Sequence, residues 1–159
     1  MAICRITIVR LHMKTLREIE EDVNSLAVRI GASANDLPSY GRSRDFAYPH
    51  IEVADGQYHY VVVERSQEID RKSSTDYNEL LYWIFSDATH NLAFDYELKN
   101  RIEDQDCRRI AFPKQVQLIG KISTAMANRK RKEIEAILLR APYDDEPTKR
   151  VNRMRDNAI

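Results

Sequence analysis

Histidine side chains are the residues of this sequence best suited to bind a metal ion or to move protons, and the chain has four of them. A metal-binding motif commonly places two ligands on one element, as H-x-x-x-H does on a helix, and no such pair occurs here. His50 and His59 flank Asp55-Gly56, a strong hairpin signal, so they could be cross-strand neighbours near Glu52. This arrangement permits a metal site, but a hairpin face of ordinary polar side chains is the simpler interpretation.

The acidic residues Glu103, Asp104 and Asp106 form a second group that could bind a metal ion or cap a helix. Carboxylates can hold Mg²⁺, but at the start of a helix they also stabilise the helix dipole and cap free amide groups. Because a helical pattern follows them, we favour the capping role. Cys107 lies in the same segment, and nothing in its D-C-R-R context marks it as a nucleophile.

Motifs for acyl or phosphoryl transfer are missing from the sequence. No serine lies in a G-x-S-x-G turn, and neither G-x-x-x-x-G-K-[ST] nor G-x-G-x-x-G occurs. With four glycines in the whole chain, a glycine-rich phosphate-binding loop has little to be built from. The sequence therefore predicts a non-enzymatic protein with no catalytic residue, no metal and no cofactor.

Length and composition are those of one ordinary globular domain, since 43% of the 159 residues are hydrophobic and 31% are charged. Twenty-five Lys and Arg residues balance twenty-five Asp and Glu residues, which argues against a globally basic nucleic-acid binder. Two cysteines are too few for a disulfide framework, and no apolar run approaches the ~20 residues of a membrane span. These features predict a soluble cytoplasmic protein.

The balanced net charge conceals an uneven distribution along the chain. Residues 76–106 contain eight acidic and two basic residues, whereas residues 107–140 contain nine basic and two acidic residues. The two segments could attract each other, or one of them could face a partner of opposite charge. The basic run Arg129–Lys132 could also bind a phosphate backbone, although a solvated helix surface explains it more simply.

Capping residues and apolar spacing define an N-terminal helix. Thr15 and Glu18 form a T-x-x-E capping box, and Gly31 suits the left-handed position that ends a helix. A stripe at spacings of three and four predicts a helix over residues 15–30, formed by Leu16, Ile19, Val23, Leu26 and Ile30. Residues 1–12 differ in character. We interpret them as an extension before an alternative start at Met13, with an added edge strand as the alternative.

The middle of the chain predicts a loop followed by a three-stranded antiparallel meander. Turn-forming residues indicate a loop over residues 32–48, pinned to the core by Leu37, Tyr40, Phe46 and Tyr48. The first strand begins with His50–Val53, and the second is Tyr58–Glu64. After a turn at Ser66-Gln67, the charged segment Glu68–Lys72 predicts an edge strand.

Three helices are predicted after the strands. Asp76 and Glu79 repeat the cap-and-box pattern, and the wide apolar face that follows predicts a central helix. A second helix is expected over residues 105–121, kinked or interrupted at Pro113, and a third begins at the capping residue Ser123.

The order of these elements predicts an α+β fold, in which the helices pack on one face of the sheet. We expect a single domain over residues 13–143. Residues 144–159 have little apolar content and predict a mobile tail.

One face of the central helix carries the candidate partner-binding residues. At about 100° per residue, seven side chains form one stripe: Asp76, Glu79, Trp83, Asp87, His90, Phe94 and Glu97. Aromatic anchors flanked by carboxylates suit a protein partner with a basic cleft. The alternative is that Trp83 and Phe94 pack beneath the C-terminal helices while the carboxylates pair with Arg129–Lys132.

Five stretches of the sequence are distinctive as strings: Tyr58–Glu68, Thr75–Phe85, Asp95–Arg109, Leu37–Gly41 and Tyr48–Val53. Together they resemble the bacterial immunity proteins of the immunity protein 63 family, over residues 15–143. At Ser66 the sequence departs from the family's pattern, which more often has a glycine there.

The resemblance implies a bacterial cytoplasmic protein, encoded in a polymorphic-toxin locus, that binds and neutralises a cognate toxin domain by stoichiometric protein–protein interaction. It supplies no catalytic residue and no toxin-contact residue that could be transferred to this chain. Two other classes of function stay open. One is a small nucleic-acid-binding module using Arg129–Lys132, and the other is a metal-dependent enzyme using His50 and His59.

Overall fold

The fold begins with α1 (Leu16–Ala27), in a computed structural model that describes residues 13–146. The Thr15 hydroxyl accepts a hydrogen bond from the Glu18 amide, and the Glu18 carboxylate accepts one from the Thr15 amide at 2.7 Å. A 3-10 turn continues to Ile30, and Gly31 ends it with a φ of 71°. The predicted N-terminal helix is therefore confirmed. The predicted extension over residues 1–12 and the part of the predicted tail beyond residue 146 lie outside the described residues.

Four strands of the described chain form one sheet in the order β1-β2-β3-β4. The predicted antiparallel meander is confirmed as β2 (Tyr48–Ala54), β3 (Gln57–Glu64) and β4 (Gln67–Ser74). An additional strand, β1 (Ser39–Tyr40), pairs in parallel with β2. A strand of two residues is too short to leave an alternating pattern, which is why periodicity did not predict it.

Two tight turns set the register of the meander. At Asp55-Gly56 both φ angles are positive, 51° and 72°, as the hairpin signal predicts. The second turn lies at Arg65-Ser66, also with two positive φ angles, one residue earlier than predicted. β4 therefore begins one residue before the predicted segment Glu68–Lys72, and it also extends two residues beyond it, to Ser74.

Three helices follow the sheet: α2 (Tyr77–Lys99), α3 (Arg108–Gly120) and α4 (Thr124–Arg140). α1 and α2 contact the sheet, whereas α3 packs on α2 and α4 packs on α3. The predicted α+β class is confirmed, with its last two helices stacked outward from α2. Within residues 13–146, none of the helices combines the length and apolar character needed to cross a membrane.

Side-chain caps start α2 and α4 as predicted. The Asp76 carboxylate accepts a hydrogen bond from the Asn78 amide at 2.8 Å, and the Ser123 hydroxyl accepts one from the Met126 amide. Glu79, however, does not close a capping box, because its carboxylate contacts Arg129 on α4 instead. An ion pair between two helices has displaced a local cap.

The core lies between the sheet and its two covering helices. α1 and α2 are tied to each other by a hydrogen bond of 2.8 Å from the Tyr77 hydroxyl to Asp22. On the apolar face of α2, Leu80 and Ile84 are buried, while Leu92 is only half-buried. The side chains with least exposure come from α1, β2, α2 and α3, and include Ile19, Val23, Ile51, Leu80, Phe85 and Ile119.

The Asp106 side chain stabilises the start of α3, which agrees with the capping interpretation of the acidic group. Its carboxylate accepts hydrogen bonds from the Arg108 amide at 2.9 Å, from the Arg108 guanidinium and from the Asp144 amide at 3.0 Å. These bonds, led by those from Arg108, hold the pKa of Asp106 well below its usual range.

We expect Asp106→Asn to lower the free energy of unfolding by about 2 kcal/mol or more at pH 7, because hydrogen bonds to a buried carboxylate are lost. A depressed folded pKa stabilises the protein above the unfolded pKa of about 4, and this contribution is lost as the pH falls further. The free energies of unfolding of the two proteins, measured with urea, should therefore converge as the pH is lowered. Glu103→Gln, at an exposed neighbour, is the control, and an equal loss there would contradict the assignment.

Candidate functional site

A cleft of about 800 Å³ opens between the sheet and helices α2, α3 and α4. Tyr60 and Val62 of β3 form part of its sheet side, and Phe112 of α3 and Ile134 of α4 line it opposite α2. α4 packs mainly on α3, and the cleft lies between these helices and β3. Its volume falls within the range of about 300–1,000 Å³ typical of ligand sites.

Four residues of the predicted stripe lie together in this cleft: Trp83, Asp87, His90 and Phe94. Each comes from α2, where steps of three and four residues place them on one face. Their neighbours on the stripe have structural partners. Asp76 caps α2, and Glu79 pairs with Arg129. Glu97 is 1% exposed and accepts from Arg101 at 2.9 Å.

The basic run Arg129–Lys132 is built into the fold at its first two positions. The Arg129 guanidinium lies 3.8 Å from the centre of the Tyr82 ring and pairs with Glu79. The Lys130 side chain is buried, and its ammonium group donates to Glu133 at 2.6 Å and to Ser86 at 2.7 Å. These contacts attach α4 to α2 and occupy two of the four cations of the run, while Arg131 and Lys132 are exposed.

Asp87 is held by a neutral partner within the cleft. Its carboxylate accepts a hydrogen bond of 2.9 Å from the Tyr60 hydroxyl, and no Lys or Arg of the described residues forms an ion pair with it. Burial, followed by the charge of Asp87, raises the pKa of Tyr60, so the phenol stays protonated and remains a donor.

His90 stacks on Phe94 at the same face of α2, with ring centres 4.5 Å apart. Burial lowers the pKa of His90, and Lys130 acts in the same direction, while Asp87 opposes both. The net lowering favours the neutral form of the imidazole. A neutral ring adds no positive charge next to Asp87.

The loop before β2 exposes a phenylalanine side chain that was predicted to be buried. Phe46 was predicted to pin this loop to the core, but 91% of its surface is exposed. Asp45, Phe46 and Ala47 are consecutive residues with positive φ angles of 61°, 58° and 57°, a backbone that bulky side chains rarely adopt. The next residue after Phe46, Ala47, lines the cleft.

Hydrogen bonds hold this loop in its left-handed conformation. The Asp45 carboxylate accepts from the Ser66 amide at 3.1 Å, and the Ala47 amide donates to the Val63 carbonyl at 2.9 Å. The loop is thus anchored to the β3–β4 hairpin. An aspartate in a turn was the one sequence signal for this arrangement, because its side chain tolerates the left-handed region.

Both ring nitrogens of His59 and the Nε2 atom of His50 have partners within the protein, whereas the buried Nδ1 atom of His50 has no hydrogen-bond partner in the described part of the chain. His59 contacts the Ser73 hydroxyl at 2.7 Å and the Ala54 carbonyl at 3.2 Å, and His50 contacts Glu52 at 3.0 Å. In the register of β2 and β3, His50 lies opposite Val61 and not opposite His59. Among residues 13–146, no group of three or more His, Cys, Asp or Glu side chains is placed to hold a metal ion.

Comparison with known protein families gives one match, which covers most of the cleft. The model of the family described as Immunity protein 63 matches residues 54–136, just over half of the chain. This range contains all the residues that line the cleft except Ala47, Pro49 and Ile137. Neither a curated protein nor a solved structure matches the chain. Because the match extends over more than half of its length, the chain belongs to the immunity protein 63 family.

Proposed function

We propose that the protein binds a cognate bacterial toxin domain in the cytoplasm and neutralises it as a stoichiometric complex. Family membership carries this proposal. The absence of nucleophile and phosphate-binding motifs from the sequence agrees with a protein that acts by binding. Inhibition then requires no chemistry from this chain, since occupying or distorting the toxin's active site is sufficient.

The cleft and the adjoining Phe46 loop are the proposed contact surface. Protein interfaces are organised around a few aromatic anchors, and here Trp83 and Phe94 line a concave surface beside an exposed Phe46. A left-handed segment costs free energy at each residue, and such strain is concentrated at functional sites. A loop that holds a phenylalanine in solvent at that cost supports a role in binding.

Co-expression with the toxin domain encoded beside it in the same locus tests the proposal. We expect the protein to restore growth, to elute with the toxin domain as an equimolar complex and to abolish its activity at one equivalent. A toxin domain from an unrelated locus is the control and should remain active. Protection without a complex, or a complex without inhibition, would contradict stoichiometric neutralisation.

The structure gives the nucleic-acid alternative less support than the sequence did. A phosphate-binding surface needs several cations that are free to contact the backbone, whereas Arg129 and Lys130 are engaged with Glu79 and Glu133, and two cations of the run, Arg131 and Lys132, are exposed. We therefore advance the toxin-binding function alone.

A further inference from the structure

We infer that the cleft receives a lysine or arginine side chain of the toxin, with Asp87 as its counter-ion. This inference rests on the proposed function and specifies the chemistry of the partner at the same site. It follows from the pairing of charges in the cleft, from the aromatic side chains around Asp87 and from the state of His90.

Each cation that lines the cleft already has its own carboxylate. Lys130 pairs with Glu133, Arg129 with Glu79 and also with Glu133, Arg108 with Asp106, and the Lys72 ammonium lies 3.9 Å from Asp70. An anionic side chain entering the cleft would therefore have to displace a carboxylate that is in place. A cation meets no such competition.

Asp87 is the lining carboxylate left over from this pairing. It lies on the exposed face of α2, with the Tyr60 hydroxyl as its partner. A charge-assisted hydrogen bond from Lys or Arg to this carboxylate is stronger than the bond it accepts from the neutral phenol. Asp87 thus offers one unit of uncompensated negative charge.

Aromatic rings near Asp87 suit the same occupant. Trp83, Phe94 and Tyr60 line the cleft, and a cation within about 6 Å of a ring centre is attracted to the ring face. The protein already uses this contact nearby, since the Lys72 ammonium lies 5.5 Å from the centre of the Tyr60 ring. An incoming cation would find a carboxylate and ring faces within one site.

His90 permits this occupancy because the neutral form of its imidazole is favoured. Its pKa is lowered by burial and by Lys130 from α4, against the effect of Asp87 on its own helix. A protonated imidazole in this position would compensate the negative charge of Asp87 and would repel an incoming cation. With a neutral ring the site stays acidic.

Trp83 provides a direct measurement, because it is the only tryptophan in the sequence and it lines the cleft. We expect L-argininamide to change its fluorescence with saturation, and N-acetylglutamate to leave it unchanged. Asp87→Asn should weaken argininamide binding at least tenfold, whereas Asp87→Glu should stay within about threefold of the wild type. Asp95→Asn, at an exposed position of the same helix outside the cleft, is the matched control.

Equal binding by wild type and Asp87→Asn, or preferential binding of N-acetylglutamate, would overturn the inference. If Asp87→Asn does not fold, the wild-type titration at low and high salt decides, because attraction between charges is screened by salt. Argininamide affinity that does not fall at high salt would then overturn it.

Binding measurements with the toxin domain encoded in the same locus distinguish failure of this inference from failure of the proposed function. If the wild type binds the toxin and Asp87→Asn binds tenfold more weakly than Asp95→Asn, both stand. If all three proteins bind the toxin equally, the proposed function stands and the inference is overturned. If the wild type does not bind the toxin, the proposed function falls, and the assignment of a toxin side chain to the cleft falls with it.

Discussion

Replacing Phe46 with glycine is expected to weaken toxin binding about thirtyfold or more, which corresponds to a loss of about 2 kcal/mol. The substitution removes an aromatic side chain that is 91% exposed and has no packing role in the free protein. Glycine also adopts a φ of 58° without steric cost. The free energy of unfolding should therefore change by less than about 1 kcal/mol, in the stabilising direction. Calorimetric titration with the toxin domain and thermal unfolding measure the two effects.

Val28→Ser is the matched control for Phe46→Gly. Val28 is 78% exposed and does not line the cleft, so its replacement removes a comparable exposed apolar group elsewhere. We expect toxin affinity to stay within about twofold of the wild type. Unchanged affinity in Phe46→Gly would show that the strained loop lies outside the interface, while a marked fall in its stability would show that Phe46 packs in the free protein.

Local signals in the sequence were sufficient for most of the fold. The Thr15–Glu18 box, Gly31 and Asp55-Gly56 each specify a backbone geometry within four residues, so they could be recognised without tertiary information. The caps at Asp76 and Ser123 placed the starts of two helices. A long-range contact can override a local rule. Glu79 pairs with Arg129 and does not form the capping box that the sequence predicted.

The candidate site was predictable in part. Helical periodicity placed Trp83, Asp87, His90 and Phe94 on one face, and the structure brings these four into one cleft. Periodicity could not show that Glu97 is buried against Arg101, although their spacing of four residues is a signal for an ion pair. The cleft itself depends on how α3 and α4 stack on α2, which no local pattern encodes.

The exposure of Phe46 could also not be predicted from the sequence. An aromatic residue in a loop is usually buried, so composition favours a packing role. Its actual position depends on the hydrogen bond between Asp45 and Ser66, two residues that are distant in the chain. A position at which an ordinary rule fails in this way is expected to be functional or strained.

The helix α2 has a core face and a cleft face, and substitutions on the two faces should have opposite effects. Ile84 is 1% exposed, so Ile84→Ala is expected to lower the free energy of unfolding by about 2–5 kcal/mol through lost burial and a cavity. Ile84→Val removes one methylene group and should cost about 0.5–1.5 kcal/mol. Urea unfolding followed by circular dichroism measures both losses.

Toxin binding should be insensitive to Ile84→Ala at temperatures where the variant remains folded, because Ile84 does not line the cleft. Asp87→Asn should show the reverse pattern, with stability close to that of the wild type and weakened binding. Asp87 lies only three residues from Ile84, but it is exposed and lines the cleft while Ile84 is buried, so the two side chains affect different properties. A folded Ile84→Ala protein that binds the toxin tenfold more weakly would contradict this separation and would mean that core packing shapes the cleft.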